Sequence, residues 1–209
     1  MTAVNEITDL DKAFAGLTEP KDLTRPFDKL LAQFLSKVAD GVVVRYAITL
    51  LDGDDPTRYP TALRHFGGAH ADLLIDEGDL TVWPAVWGAR ALRYVWTPQH
   101  AADATKLMVA HLDDPRWRVA EMCAKVVRKQ ELGEGADALI PLTGHRLSRV
   151  RMQAIRALGK VGETEHLKVI HQALSDEEKD VRRAAAKAME QRASRLDLDL
   201  NDLMEGRFR

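Results

Sequence analysis

Apolar residues recur every 31 positions in the C-terminal half of the chain. Val119, Val150 and Val181 anchor the repeat, and the positions four, seven and eight places after each valine are also apolar or small. These columns contain Cys123, Ala154 and Ala185, then Val126, Ala157 and Ala188, then Val127, Leu158 and Met189. Residues at such spacings share one side of an α-helix. The pattern therefore predicts three equivalent helices that pack closely through small side chains.

A shorter helix is predicted before each of these three helices. Met108, Leu139 and Ile170 occupy one equivalent apolar column there. A single helical hairpin cannot bury its apolar side alone, so hairpins of this kind stack into a continuous core. The sequence thus predicts an all-α fold, an α-solenoid with a right-handed superhelix, made of about five antiparallel helical hairpins.

The turns between paired helices are also periodic. Asp114, His145 and Asp176 each lie five places before a valine of the repeat. Aspartate is favoured at the N-cap of a helix, so we expect these residues to begin the second helix of each hairpin. The pair Asp55-Pro56 resembles Asp114-Pro115 and predicts a similar turn nearer the N-terminus.

Upstream of the repeats the helical pattern continues in a less regular form. Residues 26–41 predict an amphipathic helix, and we expect Gly41 to end it. Its predicted apolar side consists of Leu30, Leu31, Phe34, Leu35 and Val38. The chain is accordingly divided into three predicted parts. They are divergent helical repeats or a cap over residues 1–80, regular repeats over residues 81–195, and a C-terminal tail or cap over residues 196–209.

The C-terminal tail has two interpretations. It contains Leu203, Met204 and Phe208, and the end of a solenoid exposes apolar surface that needs a cap. The tail is predicted either to fold over the last hairpin or to dock into another molecule.

The most regular segment resembles HEAT-like repeats of the short type named after phycobilisome lyase subunits. The motif appears as Val150-Arg151, Ala154 and Ala157-Leu158-Gly159, and again from Asp176 through Val181-Arg182 to Ala188. The resemblance covers about residues 104–194, and Ala120 stands where the motif has arginine. It implies that Arg151 and Arg182 pair with a loop aspartate of an adjacent unit, with Asp114 and Asp176 as candidates. HEAT-like repeats occur in scaffolds, lyases, glycosylases and transport factors, so the resemblance leaves the function open.

Positive charge is concentrated on the predicted second helices. Residues 116–129, 145–160 and 179–195 have net charges of +4, +5 and +4, whereas the remaining 162 residues carry −15. The sixth position after each valine points away from the apolar side of the helix. Lys125, Arg156 and Lys187 fill this column, and Lys129 and Lys160 fill the tenth. Because packed helices lie about 8–10 Å apart, these cations are predicted to line one face.

Three interpretations of this basic face stay open. It is a solvated surface, a groove for an acidic protein segment, or a groove for nucleic-acid phosphates. The net charge of −2 disfavours the last, because nucleic-acid-binding domains are often basic overall.

The sequence offers little support for chemistry at a reactive site. The single cysteine, Cys123, excludes a disulfide framework and a thiol zinc site, and the seven histidines show no metal-ligand spacing. We therefore expect no cofactor and no metal. No export signal or membrane-spanning stretch is recognisable, which favours a cytoplasmic protein without a membrane partner.

Two aromatic groups invite a functional interpretation. Trp83 and Trp87, with Tyr94, form either a flat wall for a base or planar ligand, or a large core cluster. Asp113 or Asp114 beside Trp117-Arg118 is superficially similar to the aspartate and aromatic residues of HEAT-like DNA glycosylases. Asp114 already has a role as a helix cap, however, so no catalytic residue is assigned.

The sequence favours a non-catalytic adaptor. Its basic face would hold an acidic segment of a protein partner through Lys125, Arg156, Lys187, Lys129 and Lys160. The alternative is a nucleic-acid-binding protein, including a DNA-glycosylase-like base-repair enzyme or a lyase subunit.

Overall fold

The computed structural model describes residues 3–77 and 82–208, and every regular element in these residues is a helix. The predicted all-α class is confirmed. The chain forms two compact units, Met1–Leu107 and Met108–Arg209. The predicted boundary between residues 80 and 81 lies outside the described residues.

Unit 1 contains helices that pair in hairpins. They are α1 (Ala3–Phe14), α2 (Phe27–Leu35), α3 (Asp40–Asp52), α4 (Pro60–Gly67), α5 (Ala69–Glu77) and α6 (Trp83–Leu92). The first helix of one hairpin, α2, packs against the first helix of the next, α4. The second helices of the two hairpins, α3 and α6, pack against each other. Helix α7 (Ala101–Ala110) follows and crosses the boundary between the units.

The predicted helix over residues 26–41 is two helices in the structure. Helix α2 starts after Pro26 and buries Leu30, Leu31 and Phe34, as the apolar pattern indicates, but it ends at Leu35. Leu35 and Val38, also predicted on the apolar side, are only half-buried, and Val38 lies beyond the helix. Gly41 does not end it and lies instead in the first turn of α3. A Cβ at Gly41 would lie 3.2 Å from the His100 ring, so the glycine permits a close approach.

Unit 2 contains the regular repeats. The helices are α8 (Trp117–Gln130), α9 (Ala136–Leu139), α10 (Ser148–Val161), α11 (Leu167–Gln172), α12 (Lys179–Leu196) and α13 (Leu200–Met204). The long second helices α8, α10 and α12 pack side by side. The short first helices α9 and α11 pack on the second helices that follow them, α10 and α12. A 3₁₀ turn precedes each long helix, at His111–Asp113, Pro141–Gly144 and Ala173–Ser175.

The core of unit 2 follows the 31-residue repeat. Val119, Val150 and Val181 are all buried, as are the residues in the columns four, seven and eight places after them. Helices α10 and α12 approach each other closely where Gly159 faces Ala188. A Cβ at Gly159 would lie 2.7 Å from that of Ala188. Small side chains therefore set the spacing of the helices.

The tail packs against the last hairpin. Helix α13 contacts α11 and α12, and Leu203 on it is 2% exposed. The His171 Nε2 atom lies 3.1 Å from the Met204 carbonyl oxygen. Leu200 and Met204 stay partly exposed.

Candidate binding surface on the second helices

The five cations predicted to bind a partner all lie on the second helices of unit 2. Lys125 and Lys129 are on α8, Arg156 and Lys160 are on α10, and Lys187 is on α12. They lie opposite the buried columns of their helices, and their side chains differ in how far they are exposed. Neighbouring acidic side chains separate them into a paired set and an unpaired set.

Lys125 belongs to the paired set. Its Nζ lies 2.8 Å from Glu121 Oε1, and the Lys125 side chain is only 20% exposed. Arg149 of α10 approaches the other oxygen of Glu121 at 3.0 Å. Glu121 is buried, so the two cations supply the charge compensation that a buried carboxylate needs. The Lys125 pair therefore lies within α8, and Arg149 links α10 to α8 through the same carboxylate.

Lys160 is also paired. Its Nζ lies 2.9 Å from Oε1 of Glu131, the residue that ends α8 in a left-handed conformation. The hydrogen bond from Lys160 lowers the pKa of Glu131, and the charge of Arg195 adds to this effect. The Glu131 carboxylate therefore links the C-terminal ends of three consecutive second helices.

Lys129, Arg156 and Lys187 form the unpaired set. All three are exposed, and none has an ion-pair partner within residues 3–77 and 82–208. They lie on α8, α10 and α12 in turn, so each second helix of the row contributes one available cation. We name Lys129, Arg156 and Lys187 the cation row.

Trp117 lies at the start of α8 between two guanidinium groups. The Arg118 group lies 4.3 Å from the ring centroid and the Arg149 group 4.9 Å. Both distances are typical of cation–π contacts. Arg149 thus contacts Glu121 and Trp117 together, which fixes its side chain at the junction of α8 and α10.

The turn residues Asp114, His145 and Asp176 make one repeated contact. Each accepts the backbone N–H two residues later, at 2.8, 3.0 and 2.9 Å. The prediction that these three residues cap the helices is wrong, because they lie two places before the observed N-caps. The N-caps are the residues that donate these N–H groups, Arg116, Leu147 and Glu178. Each polar side chain stabilises the tight turn that leads into the helix.

Arg151 and Asp176 join two adjacent units. The Arg151 Nε and Nη2 atoms each donate to one carboxylate oxygen of Asp176 at 2.8 Å. Hydrogen bonds from Arg151 lower the pKa of Asp176. Bidentate pairs of this kind have a defined geometry, so the contact fixes the register of α10 against the following turn.

Asp114 and Arg182 make other contacts. Asp114 accepts hydrogen bonds from Arg116 and lies 2.8 Å from His111 Nδ1, all within its own turn. Ala120, which occupies the arginine position of this unit, has no group to donate. Arg182 donates to the Asp176 and Glu177 carbonyl oxygens at 2.7 and 2.9 Å.

Arg192 is a buried cation that the charge analysis counted as surface. It is 2% exposed and donates to the carbonyl oxygens of Gly159, Lys160 and Gly162 at the C-terminus of α10. Burial lowers its pKa. Its position gives a signal in the sequence, because it lies eleven places after Val181 and therefore on the apolar side of α12.

A family model described as HEAT repeats matches residues 136–205. The resemblance stated from the sequence is confirmed there, and repeat folds of this type are typical of protein-interaction scaffolds. No curated protein sequence matches the chain.

Solved structures of repeat proteins have a similar fold. A crystal structure of an engineered protein is 20% identical with a TM-score of 0.53, and the match covers 91% of this chain and 92% of that one. A designed armadillo repeat protein in complex with the peptide (KR)4 is 17% identical, also with a TM-score of 0.53. That match covers 91% of this chain and 94% of that one. At these identities the similarity shows the fold.

Asp114 and Cys123 of unit 2 are poorly placed for chemistry. Both carboxylate oxygens of Asp114 are occupied and its side chain is 3% exposed. Burial raises its pKa, but hydrogen bonds from Arg116 and His111 outweigh burial and hold the pKa below its usual value. Cys123 is buried, which raises the pKa of its thiol and disfavours the reactive thiolate.

Residues 3–77 and 82–208 contain no group of three or more histidine, cysteine, aspartate or glutamate side chains placed to hold a metal ion. None of their helices is long and apolar enough to cross a membrane.

Trp83 and Trp87 of unit 1 were predicted to form either a flat wall for a ligand or a core cluster, and the structure has features of both. Trp87 is buried, whereas Trp83 is 39% exposed and Tyr94 is 51% exposed. The Trp83 and Trp87 ring centroids are 6.5 Å apart with an interplanar angle of 27°. One indole therefore belongs to the core and the other extends the cluster to the surface.

Proposed function

We propose that this protein is a non-catalytic adaptor that holds an acidic segment of a protein partner on its second helices. The cation row carries this proposal, because Lys129, Arg156 and Lys187 are exposed and lack an ion pair among the described residues. A cation that already has an acidic partner gains less from a second one. The contacts of Lys125 and Lys160 therefore leave the cation row as the main attraction for a partner.

The designed armadillo repeat protein supports an extended peptide as the kind of partner. That structure is a complex with (KR)4, a peptide of basic residues. The cation row is positive, so the segment that it attracts is acidic. A stacked-helix surface suits an extended segment, because each hairpin presents an equivalent position along it.

Charge reversal of the cation row tests the proposal. The variant Lys129→Glu/Arg156→Glu/Lys187→Glu is expected to lose most of the partner protein that the wild type captures from a native lysate. Its helical circular dichroism signal should be unchanged, since all three side chains are exposed. The matched control Arg146→Glu/Lys168→Glu/Lys179→Glu changes the net charge by the same amount at exposed positions outside the row. It should still capture the partner.

Nuclease treatment separates this proposal from the nucleic-acid alternative. Capture that survives nuclease and depends on the cation row supports an acidic protein partner. Capture that disappears with nuclease supports nucleic acid and overturns the proposal. Equal capture by the two triple variants overturns it as well.

A further inference from the structure

A pocket of about 520 Å³ opens in unit 1, separate from the cation row. Its walls include Phe27, Phe66, Trp83 and Trp87, and two arginines, Arg25 and Arg90, lie at its margin. This volume lies within the range of pockets for small ligands, about 300–1,000 Å³, and such pockets combine apolar walls with a few polar groups.

The aromatic wall is held in place by close packing. A Cβ at Gly67 would lie 2.4 Å from the Trp87 ring, so the glycine lets the backbone of α4 rest against this indole. The adjacent Trp83 indole remains 39% exposed. The pocket thus offers a flat aromatic surface on a fixed support.

Arg90 provides a positive group with unused donors. Its guanidinium carbon lies 4.3 Å from the centroid of the Phe27 ring. Stacking on a ring orients the guanidinium plane and leaves the N–H groups at its edge. No hydrogen bond or ion pair of Arg90 is found in the described part of the chain. By contrast, Arg25 already lies 3.8 Å from Asp22.

We propose that this pocket binds a planar aromatic group that carries a carboxylate. The ring lies against Trp83 and Trp87, and the carboxylate accepts hydrogen bonds from the edge of the Arg90 guanidinium. A planar fork and a carboxylate match in geometry, so a charged ligand gains over its neutral amide. The site does not depend on the adaptor function.

Calorimetric titration with biphenyl-4-carboxylate and with biphenyl-4-carboxamide tests the site. The carboxylate is expected to bind the wild-type protein about tenfold more tightly than the amide. Arg90→Gln should remove this preference, and Trp83→Ala should weaken both compounds. Arg93→Gln is the matched control, because Arg93 follows α6 but does not line the pocket, and it should bind like the wild type.

Two further probes distinguish the source of the ligand. N-acetyl-phenylalanine represents a small molecule, and a pentapeptide ending in phenylalanine with a free carboxylate represents a protein C-terminus. Tighter binding of the pentapeptide assigns the pocket to a protein terminus, and equal binding assigns it to a small molecule. The proposal is overturned if biphenyl-4-carboxylate fails to bind, or if Arg90→Gln and Arg93→Gln keep the same preference for the carboxylate.

Discussion

At the scale of single residues, Arg151 and Arg182 differ although they occupy equivalent positions. Both use Nη1 to donate to two carbonyl oxygens of the preceding turn. Among the described contacts, only Arg151 also reaches carboxylates, those of Asp176 and Glu177, 25 and 26 residues later. The residue 25 places after Arg182 is Arg207, which pairs with Asp202 in the tail. The same side chain is therefore a link between units at one position and an exposed cation at the other.

Replacement of these arginines is expected to affect stability unequally. Arg151→Gln removes three charge-assisted hydrogen bonds, two to Asp176 and one to Glu177, from a largely buried site. It should lower the free energy of unfolding by about 2 kcal/mol. Arg182→Gln, the matched control at an exposed position, should lower it by less than about 1 kcal/mol. Urea unfolding followed by circular dichroism measures both. Equal losses would show that the pair with Asp176 contributes little.

At the scale of helices, the contact between α10 and α12 depends on two features at the C-terminus of α10. Gly159 has no side chain where Ala188 approaches it. Arg192 donates to three carbonyl oxygens that lack partners within the helix. The positive side chain also interacts favourably with the negative end of the α10 helix dipole. The helices are thus joined by close packing and by a capping interaction from the neighbouring helix.

Gly159→Ala is expected to destabilise the protein even though alanine favours helices by about 1 kcal/mol over glycine. The added methyl would lie 2.7 Å from the Ala188 Cβ and 2.8 Å from its Cα, so the helices must move apart. A net loss of about 1–2 kcal/mol should appear in thermal or urea unfolding.

Two control variants test the reason for this loss. A Cβ at Gly133 meets nothing within 4 Å, so Gly133→Ala should not show the loss. The second change Ala188→Gly should recover part of the stability of Gly159→Ala. A Gly159→Ala protein as stable as the wild type would mean that α10 and α12 can move apart with no loss in the free energy of unfolding.

At the scale of the whole chain, the two units differ in charge and in their buried polar groups. Residues 1–107 contain 11 basic and 15 acidic residues, whereas residues 108–209 contain 19 basic and 17 acidic residues.

Unit 1 buries His65 against the Phe34 ring, with the two ring nitrogens of His65 3.4 and 3.1 Å from the carbonyl oxygens of Leu30 and Thr18. Burial lowers the pKa of His65, and the two carbonyl oxygens oppose this effect only in part.

Stability is expected to fall as the pH drops below 6.5, the ordinary pKa of histidine. The unfolded chain binds a proton at position 65 near that pH, whereas the folded chain binds it only at lower pH, so protonation favours unfolding. The melting temperature should fall more for the wild type than for His65→Gln between about pH 7.5 and about pH 5.5. Parallel falls would assign the pH dependence to other groups.

Local pattern predicted the repeats of unit 2 well, because one spacing of small and apolar residues determines how each helix packs. The HEAT-like resemblance is confirmed over residues 136–205, and the columns after Val150 and Val181 are buried. The end of α2 was predicted wrongly, because Gly41 marks a close approach to His100 rather than a helix end.

The candidate surface was less predictable, because the pairing of charges depends on neighbouring helices. No spacing within α8 shows that Arg149 of α10 shares Glu121 with Lys125, or that Lys160 reaches Glu131. Net charge therefore overestimated the basic face. Arg192 was the exception that a helical wheel could have identified, since it lies on the apolar side of α12.

The exposed guanidinium of Arg182 gives the array a site for modular lengthening. A designed hairpin grafted after α12 in place of the tail, with aspartate at position 207, would present a carboxylate at the spacing that joins Arg151 to Asp176. Its register would be set by a contact that the natural chain already uses once. The chain thus contains an engineering handle at which further units, each with its own surface residues, can be appended.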